Sequence, residues 1–240
     1  MRFSFELESS RKSCRFNRLR AARFLLGAMT VNVSATAFAL PAQVSWPAIS
    51  ARDLPERLAL ASPGDSVKGV LCNGVLSAVR AALDSRAADT CRAAAGEPRF
   101  IDFFNYPITS FLKLSFTAAE LLRSKLGGYD AAFRTLGKQA VDDFLSTAVG
   151  KTLRSLGEKD LQQPLAALPA AYGAALNHGE RSVHLAGERR YSLWMRRDFL
   201  PHPYHEGLLA ALLSSLGAVP VQVVGRRNGT LDADYEIAWE

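Results

Sequence analysis

Between residues 66 and 83 the apolar side chains Val67, Val70, Leu71, Val75, Ala78, Val79 and Ala82 recur at steps of three and four, which predicts one face of a helix. Asp65 stands before that run, where its carboxylate is expected to accept from the free amides of the first turn. Gly69 and Gly74 are each unfavourable inside a helix by about 1 kcal/mol relative to Ala. They point either to close approach of a neighbouring backbone or to a kink. A loop with Gly96 and Pro98 then leads into the aromatic-rich stretch Phe100–Tyr106. Pro107 suits the first turn of a second helix, about 107–124, whose apolar face is Ile108, Phe111, Leu112, Ser115, Phe116, Ala119 and Leu122. Gly127-Gly128 ends it. A third helix, about 129–149, sets Phe133, Leu136, Ala140, Val141, Phe144, Leu145 and Ala148 against Arg134, Lys138, Asp142 and Asp143. That aromatic stripe reads as core rather than as a cofactor wall. A fourth, 161–177, is capped by Asp160, kinked at Pro169 and stopped by Asn177-His178-Gly179, with Leu165, Leu168, Tyr172 and Leu176 turned inward.

At Ser182 the period changes from helical to alternating. Residues 182–186 and 190–197 alternate around Gly187-Glu188, the pattern of a β-hairpin. A helix over about 203–216 follows, with Leu208, Leu209, Leu212, Leu213 and Leu216 on one side. A second hairpin pairs the strand of Val219, Val221 and Val223 with one whose inner face is Ala233, Tyr235, Ile237 and Trp239. Asn228-Gly229 is the turn signal between them. The fold class is therefore α+β, with N-terminal helices packed on a C-terminal four-stranded antiparallel sheet of order β-β-α-β-β.

Residues 43–64 carry Pro47, Pro55, Pro63 and Gly64 and read as a linker with one helical turn around Leu54–Leu60. The organisation expected is an N-terminal extension and linker over 1–62 and one α+β domain over 63–240. The net charge of +6 changes little, because residues 1–23 carry seven basic side chains against two acidic ones. Beyond residue 23 the balance is 22 basic to 21 acidic, too even for the field that phosphate binding needs, so no nucleic acid is expected for 63–240. Residues 24–42 are uncharged and carry Ala37-Phe38-Ala39 near their end, like a secretory signal, but Thr30, Asn32, Ser34 and Thr36 interrupt them. Three readings stay open: a start at Met29, a cleaved leader over 1–39, or a basic arm. The chain is expected in the cytoplasm, or exported if the leader is real. No stretch has the 20 or so apolar residues of a transmembrane helix.

Cys14, Cys72 and Cys91 show neither CxxC nor zinc-ligand spacing, and Cys72 and Cys91 read as reduced thiols. The densest chemical segment is Arg197, Asp198, His202, Tyr204 and His205, the candidate interaction segment. His202 and His205, three apart at a helix start, lack a third metal ligand. The stripe Asp232, Asp234 and Glu236 reads as a solvent face that discourages edge pairing, with Arg196-Arg197 and Arg226-Arg227 as its partners. No G-x-S-x-G, Walker or G-x-G-x-x-G motif is present, so no catalytic, cofactor or metal residue is assigned and no cofactor is expected.

The stretches VKGVLCNGVLSAVRAAL, NYPITSFLKL, LGKQAVDDFLSTAVGKTL, GERSVHL and RRDFLPHPYHEGLLAALLSSLGAVPVQVVGR, ending in LDADYEIAW, resemble the uncharacterised family of roughly two-hundred-residue proteins expanded as paralogues in myxobacteria. That resemblance covers residues 65–240 and implies no activity. More remotely, the order of helices then ββαββ is similar to the haem/nitric-oxide-binding domains and to the ligand-binding fold of vesicle-tethering subunits. That haem family's sheet carries Tyr-x-Ser-x-Arg, whereas the strand here reads Tyr191-Ser192-Leu193-Trp194-Met195. Its iron-ligating His lies in an earlier helix, whereas no His here precedes His178. The resemblance thus implies a haem-free relative with an apolar pocket between helices and sheet. The function expected is a non-enzymatic sensory or adaptor domain for a small apolar ligand, a protein partner or a second copy of the chain. The alternative is a hydrolase or transferase using Arg197, Asp198, His202 and His205.

Overall fold

The computed structural model describes residues 46–146 and 161–240, with positions 151 and 154 between them. Helix α1 is Asp53–Leu60, and the short strands β1 (Ser66–Lys68) and β2 (Asn105–Pro107) pair antiparallel. Helices α2 (Gly69–Ala82), α3 (Ser85–Ala95), α4 (Ile108–Leu126), α5 (Tyr129–Ser146) and α6 (Gln162–Ala175) complete the helical part. Strands β3 (Glu180–Gly187) and β4 (Arg190–Arg196), helix α7 (His202–Ser215) and strands β5 (Val221–Arg227) and β6 (Ala233–Trp239) follow. The sheet order is β3-β4-β6-β5, antiparallel throughout, and Tyr191, Leu193, Met195, Ala233, Tyr235 and Ile237 point into the core. This is the expected α+β architecture, with helices on one face of the sheet.

Four expectations are corrected. The helix predicted from Ser66 starts at Gly69, because residues 66–68 form β1 instead. Asp65 is consequently no cap of α2: its carboxylate accepts two bonds from Arg197, both 2.8 Å, and one from the Ser62 amide at 2.7 Å. The expected loop before Gly96 contains α3, capped by Asp84, which accepts from the Ala87 amide at 2.7 Å. The residues of α3 are mostly alanine and polar, so only Ala88, Cys91 and Ala95 mark a buried face, too weak a stripe to stand out. Asn228-Gly229 does not form a two-residue turn. Arg227 pairs with Ala233, leaving a five-residue loop closed by Asn228 and Gly229 amides on the Asp232 carbonyl. Within the stretch read as a linker, Ile49, Asp53 and Arg57 are buried. Pro55 lies in the first turn of α1, where its missing N–H costs nothing. Asp160 and residues 147–149 lie outside the described residues.

Two apolar clusters form the core. One is built by α2, α3 and α4 with the start of α5, the other by α5, α6 and α7 against the sheet. What joins them is the crossing of α5 and α7, where two backbones touch. A Cβ on Gly137 would lie 1.9 Å from the Tyr204 carbonyl oxygen, and one on Gly207 2.0 Å from that of Arg134. Gly69 serves the same end, since a Cβ there would sit 2.2 Å from the Ile101 carbonyl oxygen. Glu206 ties the crossing to the sheet. It accepts from Arg134 of α5 at 2.7 Å and from the Gly225 amide of β5 at 2.8 Å.

In an exposed helix Gly→Ala stabilises, but here the added methyl meets backbone. Gly137→Ala and Gly207→Ala are each expected to lower stability by about 1–3 kcal/mol, read by urea unfolding. Unchanged or raised stability in both variants would show that the helices do not cross this closely.

Candidate functional site

Where the two core clusters meet, a cavity of about 350 Å³ opens between α5, α6, α7 and the segment 198–200. Its origin is the composition of α6. That helix presents Ala167, Ala170, Ala171 and Ala175 to the cavity, side chains too short to fill the gap to Phe144, Leu208 and Leu212. Ala167, Ala170 and Ala171 remain exposed, so the cavity reaches solvent along α6. The wall is apolar except at one end, where Tyr172, His178, Asp198, Tyr204 and His205 gather.

That polar end is a buried chain of hydrogen bonds. The Tyr172 hydroxyl lies 2.9 Å from Nδ1 of His205, and Nε2 of His205 lies 2.9 Å from Oδ1 of Asp198. Arg181 donates to Oδ2 of Asp198 at 2.5 Å, and the Leu200 amide to Oδ1 at 3.1 Å. The guanidinium of Arg181 also stacks over the Tyr172 ring, 4.7 Å from its centre. Burial would raise the Asp198 carboxyl, but His205 and Arg181 outweigh it and hold it well below the usual carboxylate range. An ionised Asp198 only accepts, so Nε2 of His205 must carry a proton, and in the neutral ring Nδ1 accepts from Tyr172. Burial pushes the Tyr172 hydroxyl well above its ordinary range, which keeps it protonated.

Local backbone explains how Asp198 arrives there. Arg197 adopts φ 54°, a left-handed conformation that a non-glycine residue rarely takes. Its amide donates to Asp232 Oδ1 at 2.9 Å and its guanidinium grips Asp65, so the chain turns and Asp198 enters the interior. From beneath, the buried Arg57 donates to the Phe199 carbonyl at 3.0 Å.

The candidate segment is therefore divided. Asp198 and His205 converge, and Tyr204 lines the cavity beside them. Arg197 faces outward to Asp65, with its side chain 41% exposed. His202 lines a separate small hollow with Arg57 and Arg227. The two histidines thus line different hollows, with Asp198 on the wall of both and Arg197 on neither. Among the described residues no group of three His, Cys, Asp or Glu side chains is placed to hold a metal. Cys72 and Cys91 are free, buried thiols, and burial pushes Cys91 up to about 11. Arg227 departs from the expected solvent pairing: it points inward to Asp53 at 2.8 Å, while Arg196 and Arg226 do pair with Asp234 and Glu236. Tyr172, His178 and Arg181 were not assigned from sequence. Tyr172 read as one more inward residue of a helix, and its partner His205 lies 33 residues away.

Residues 60–240 match the family described as "Protein of unknown function (DUF2378)", and the chain belongs to it. No curated protein matches the sequence. Solved structures do share its fold. An Fe(II) unliganded H-NOX protein from K. algicida is 11% identical with a TM-score of 0.56, over 72% of this chain and 96% of that one. An H-NOX protein from S. oneidensis in the Fe(II)NO state is 12% identical with a TM-score of 0.57, over 72% and 99%. An oxygen-binding H-NOX domain related to soluble guanylate cyclases is 12% identical with a TM-score of 0.53, over 72% and 95%. At these identities the likeness is one of fold. No helix among the described residues is long and apolar enough to cross a membrane.

Asp198→Asn would leave the buried Arg181 without a full counter-charge and is expected to cost about 3–5 kcal/mol in urea unfolding. Arg197→Ala, at the partly exposed pair, should cost about 1 kcal/mol or less. Equal losses would contradict the assignment of Asp198 as the buried anchor. Burial holds His178 and His202 below the ordinary histidine range. Below about pH 6.5 the unfolded chain therefore takes up protons that the folded chain does not, and stability falls as pH falls. The melting temperature should drop between about pH 7.5 and pH 5, and less so in His178→Gln.

Proposed function

We propose that this member of a family of unknown function is a non-enzymatic sensory or adaptor domain that binds a small, largely apolar molecule in the cavity between α5, α6 and α7. The observation that carries this reading is the cavity itself. Its volume of about 350 Å³ lies at the small end of the range for sites that enclose organic ligands. It reaches solvent, it is apolar along its length, and its few polar groups sit together at one end. Stability alone explains none of this, because an unfilled apolar gap forfeits contacts that a Leu or Phe on α6 would supply. The shared fold with H-NOX domains supports the same reading, since those proteins bind their ligands within this architecture.

Haem, the subject of another structure of this fold, does not fit the residues present. Its two carboxylates would find no Arg or Lys on the cavity wall and would meet the ionised Asp198 instead. Of the two histidines on the wall, His205 has both ring nitrogens engaged, and the unpaired Nδ1 of His178 is closed off from the cavity, so neither of these nitrogens is offered as an axial ligand. An enzymatic role has less support. Tyr172 is kept protonated and is tied to His205, and neither Arg197 nor His202 reaches the cavity.

The test uses N-phenyl-1-naphthylamine, an uncharged probe that fluoresces on leaving water. Saturable, 1:1 enhancement is expected with the full chain. Ala171→Phe, which fills the cavity from its exposed side, should weaken binding at least about tenfold, a loss of about 1.4 kcal/mol, while the circular dichroism spectrum stays unchanged. If that variant folds poorly, Ala167→Leu supplies the same reading from the next turn. No saturable binding to the wild type, or binding indifferent to both substitutions, would overturn the proposal.

A further inference from the structure

Away from the cavity, the loop between α3 and β2 sets two large aromatic rings into solvent. Phe103 is 84% exposed and Phe104 60%, and among the described residues no large apolar side chain is more exposed than Phe103. Phe100, Phe111, Phe116, Phe133 and Phe199 are all buried, so this adjacent pair stands apart.

The loop does not expose them through looseness. Its five consecutive carbonyls, 100–104, are all engaged: Asn73 donates to that of Phe100 at 3.2 Å, the Phe104 amide to Ile101 at 3.0 Å, the Val70 amide to Asp102 at 3.1 Å, Lys68 to Phe103 at 3.1 Å and the Gly69 amide to Phe104 at 2.9 Å. The Tyr106 hydroxyl accepts from the Ile101 amide at 2.9 Å, and its ring packs edge-on against Phe100 with centres 4.9 Å apart. The loop therefore closes the open N-terminal end of α2, and both rings are held outward before any partner arrives.

What covers such a pair follows from what the loop leaves over. A protein partner is read in part through directional hydrogen bonds, and these carbonyls are already taken. The hydrocarbon of a bilayer supplies no donors, so it receives only backbone whose polar groups are satisfied internally. Charge agrees. The loop and its seat carry Lys68 and Arg99 against Glu97 and Asp102, with Glu97 bonded to Ser110 and Asp102 to Asn73. That even balance matches zwitterionic head groups, which carry one charge of each sign.

Independently of the cavity, we propose that this loop docks the domain on the surface of a lipid bilayer, with Phe103 and Phe104 inserted below the head groups and Lys68 and Arg99 left at the level of the phosphates. Two rings give reversible attachment to one leaflet, and no spanning helix is required.

The test is flotation of the full chain with vesicles of phosphatidylcholine and phosphatidylethanolamine, whose lack of net charge gives the basic residues 1–23 nothing to bind. Phe103→Ser and Phe104→Ser are each expected to weaken binding about tenfold, and both together about a hundredfold, with the circular dichroism spectrum unchanged. Phe103→Trp should bind as the wild type does, because Trp favours membrane interfaces. Leu185→Ser removes an apolar side chain that is 61% exposed on β3 and should leave binding unchanged. Raising NaCl from about 0.1 M to about 0.5 M should alter the wild-type affinity less than about twofold. No flotation of the wild type, or flotation that survives the double substitution, would overturn the proposal. An equal loss in Leu185→Ser, which marks general adhesion, does the same, as does flotation that needs anionic lipid. If the wild type stays unbound and is a dimer that the double substitution splits, the rings serve a protein contact and the lipid assignment falls.

Discussion

A carboxylate taken out of water must bring its compensation with it, and in this domain the interior is arranged around one such group. Asp198 is buried, and its partners come from three separate elements: Arg181 on β3, His205 on α7 and, through His205, Tyr172 on α6. Removing water around an ion of this size costs several kcal/mol, which only several short, well-directed bonds offset. The apolar clusters are non-directional and tolerate many arrangements. The network tolerates few, because displacing α6, α7 or β3 leaves a buried charge or donor unpaired. It thereby defines where the helices stand relative to the sheet.

The same constraint shapes the cavity. Glycines at the crossing bring α5 and α7 into backbone contact, which leaves α6 as the element that decides how much room remains. Short alanines on α6 keep that room open, and the network holds the polar end closed. The site thus combines a loosely filled apolar chamber with a tightly specified polar wall, two kinds of packing a few residues apart.

Much of the fold was legible because long amphipathic runs and strand alternation are local properties. The faces of α4 and α5, the two hairpins and the helix between them follow directly from residues such as Phe111, Phe133, Leu193 and Tyr235. What escaped was either too short or too distant. β1 has three residues and owes its existence to pairing with β2, across a gap that contains two helices. Asp65 looked like a cap because the sequence shows its near neighbours and hides Arg197, 132 positions away. Within the candidate segment, Asp198 and His205 are close in sequence and bonded in the fold. Arg197 and His202 were separated by the left-handed turn at Arg197, which no local pattern announces. His178 carried only the signal of a helix stop, and its unpaired nitrogen is a fact of tertiary packing. The alanines of α6 read as an unremarkable helix, since a cavity is an absence of side chains and leaves no positive mark in a sequence.

The anchoring of α6 gives the cavity an uneven mechanics. The segment 198–200 is clamped from both sides, by Arg57 below and Arg181 above. The α6 wall instead has no side-chain cap at its N-terminal end and a proline within it, and is fastened at its other end, by Tyr172 to His205 and beyond the last turn, where Leu176 bridges to Val67 and Asn177 bonds to residues 64 and 66. The two-stranded ribbon of β1 and β2 lends no residue to the cavity lining. It nonetheless acts as the fixed end of a cantilever, so the space inside the domain is gauged from a ribbon outside it.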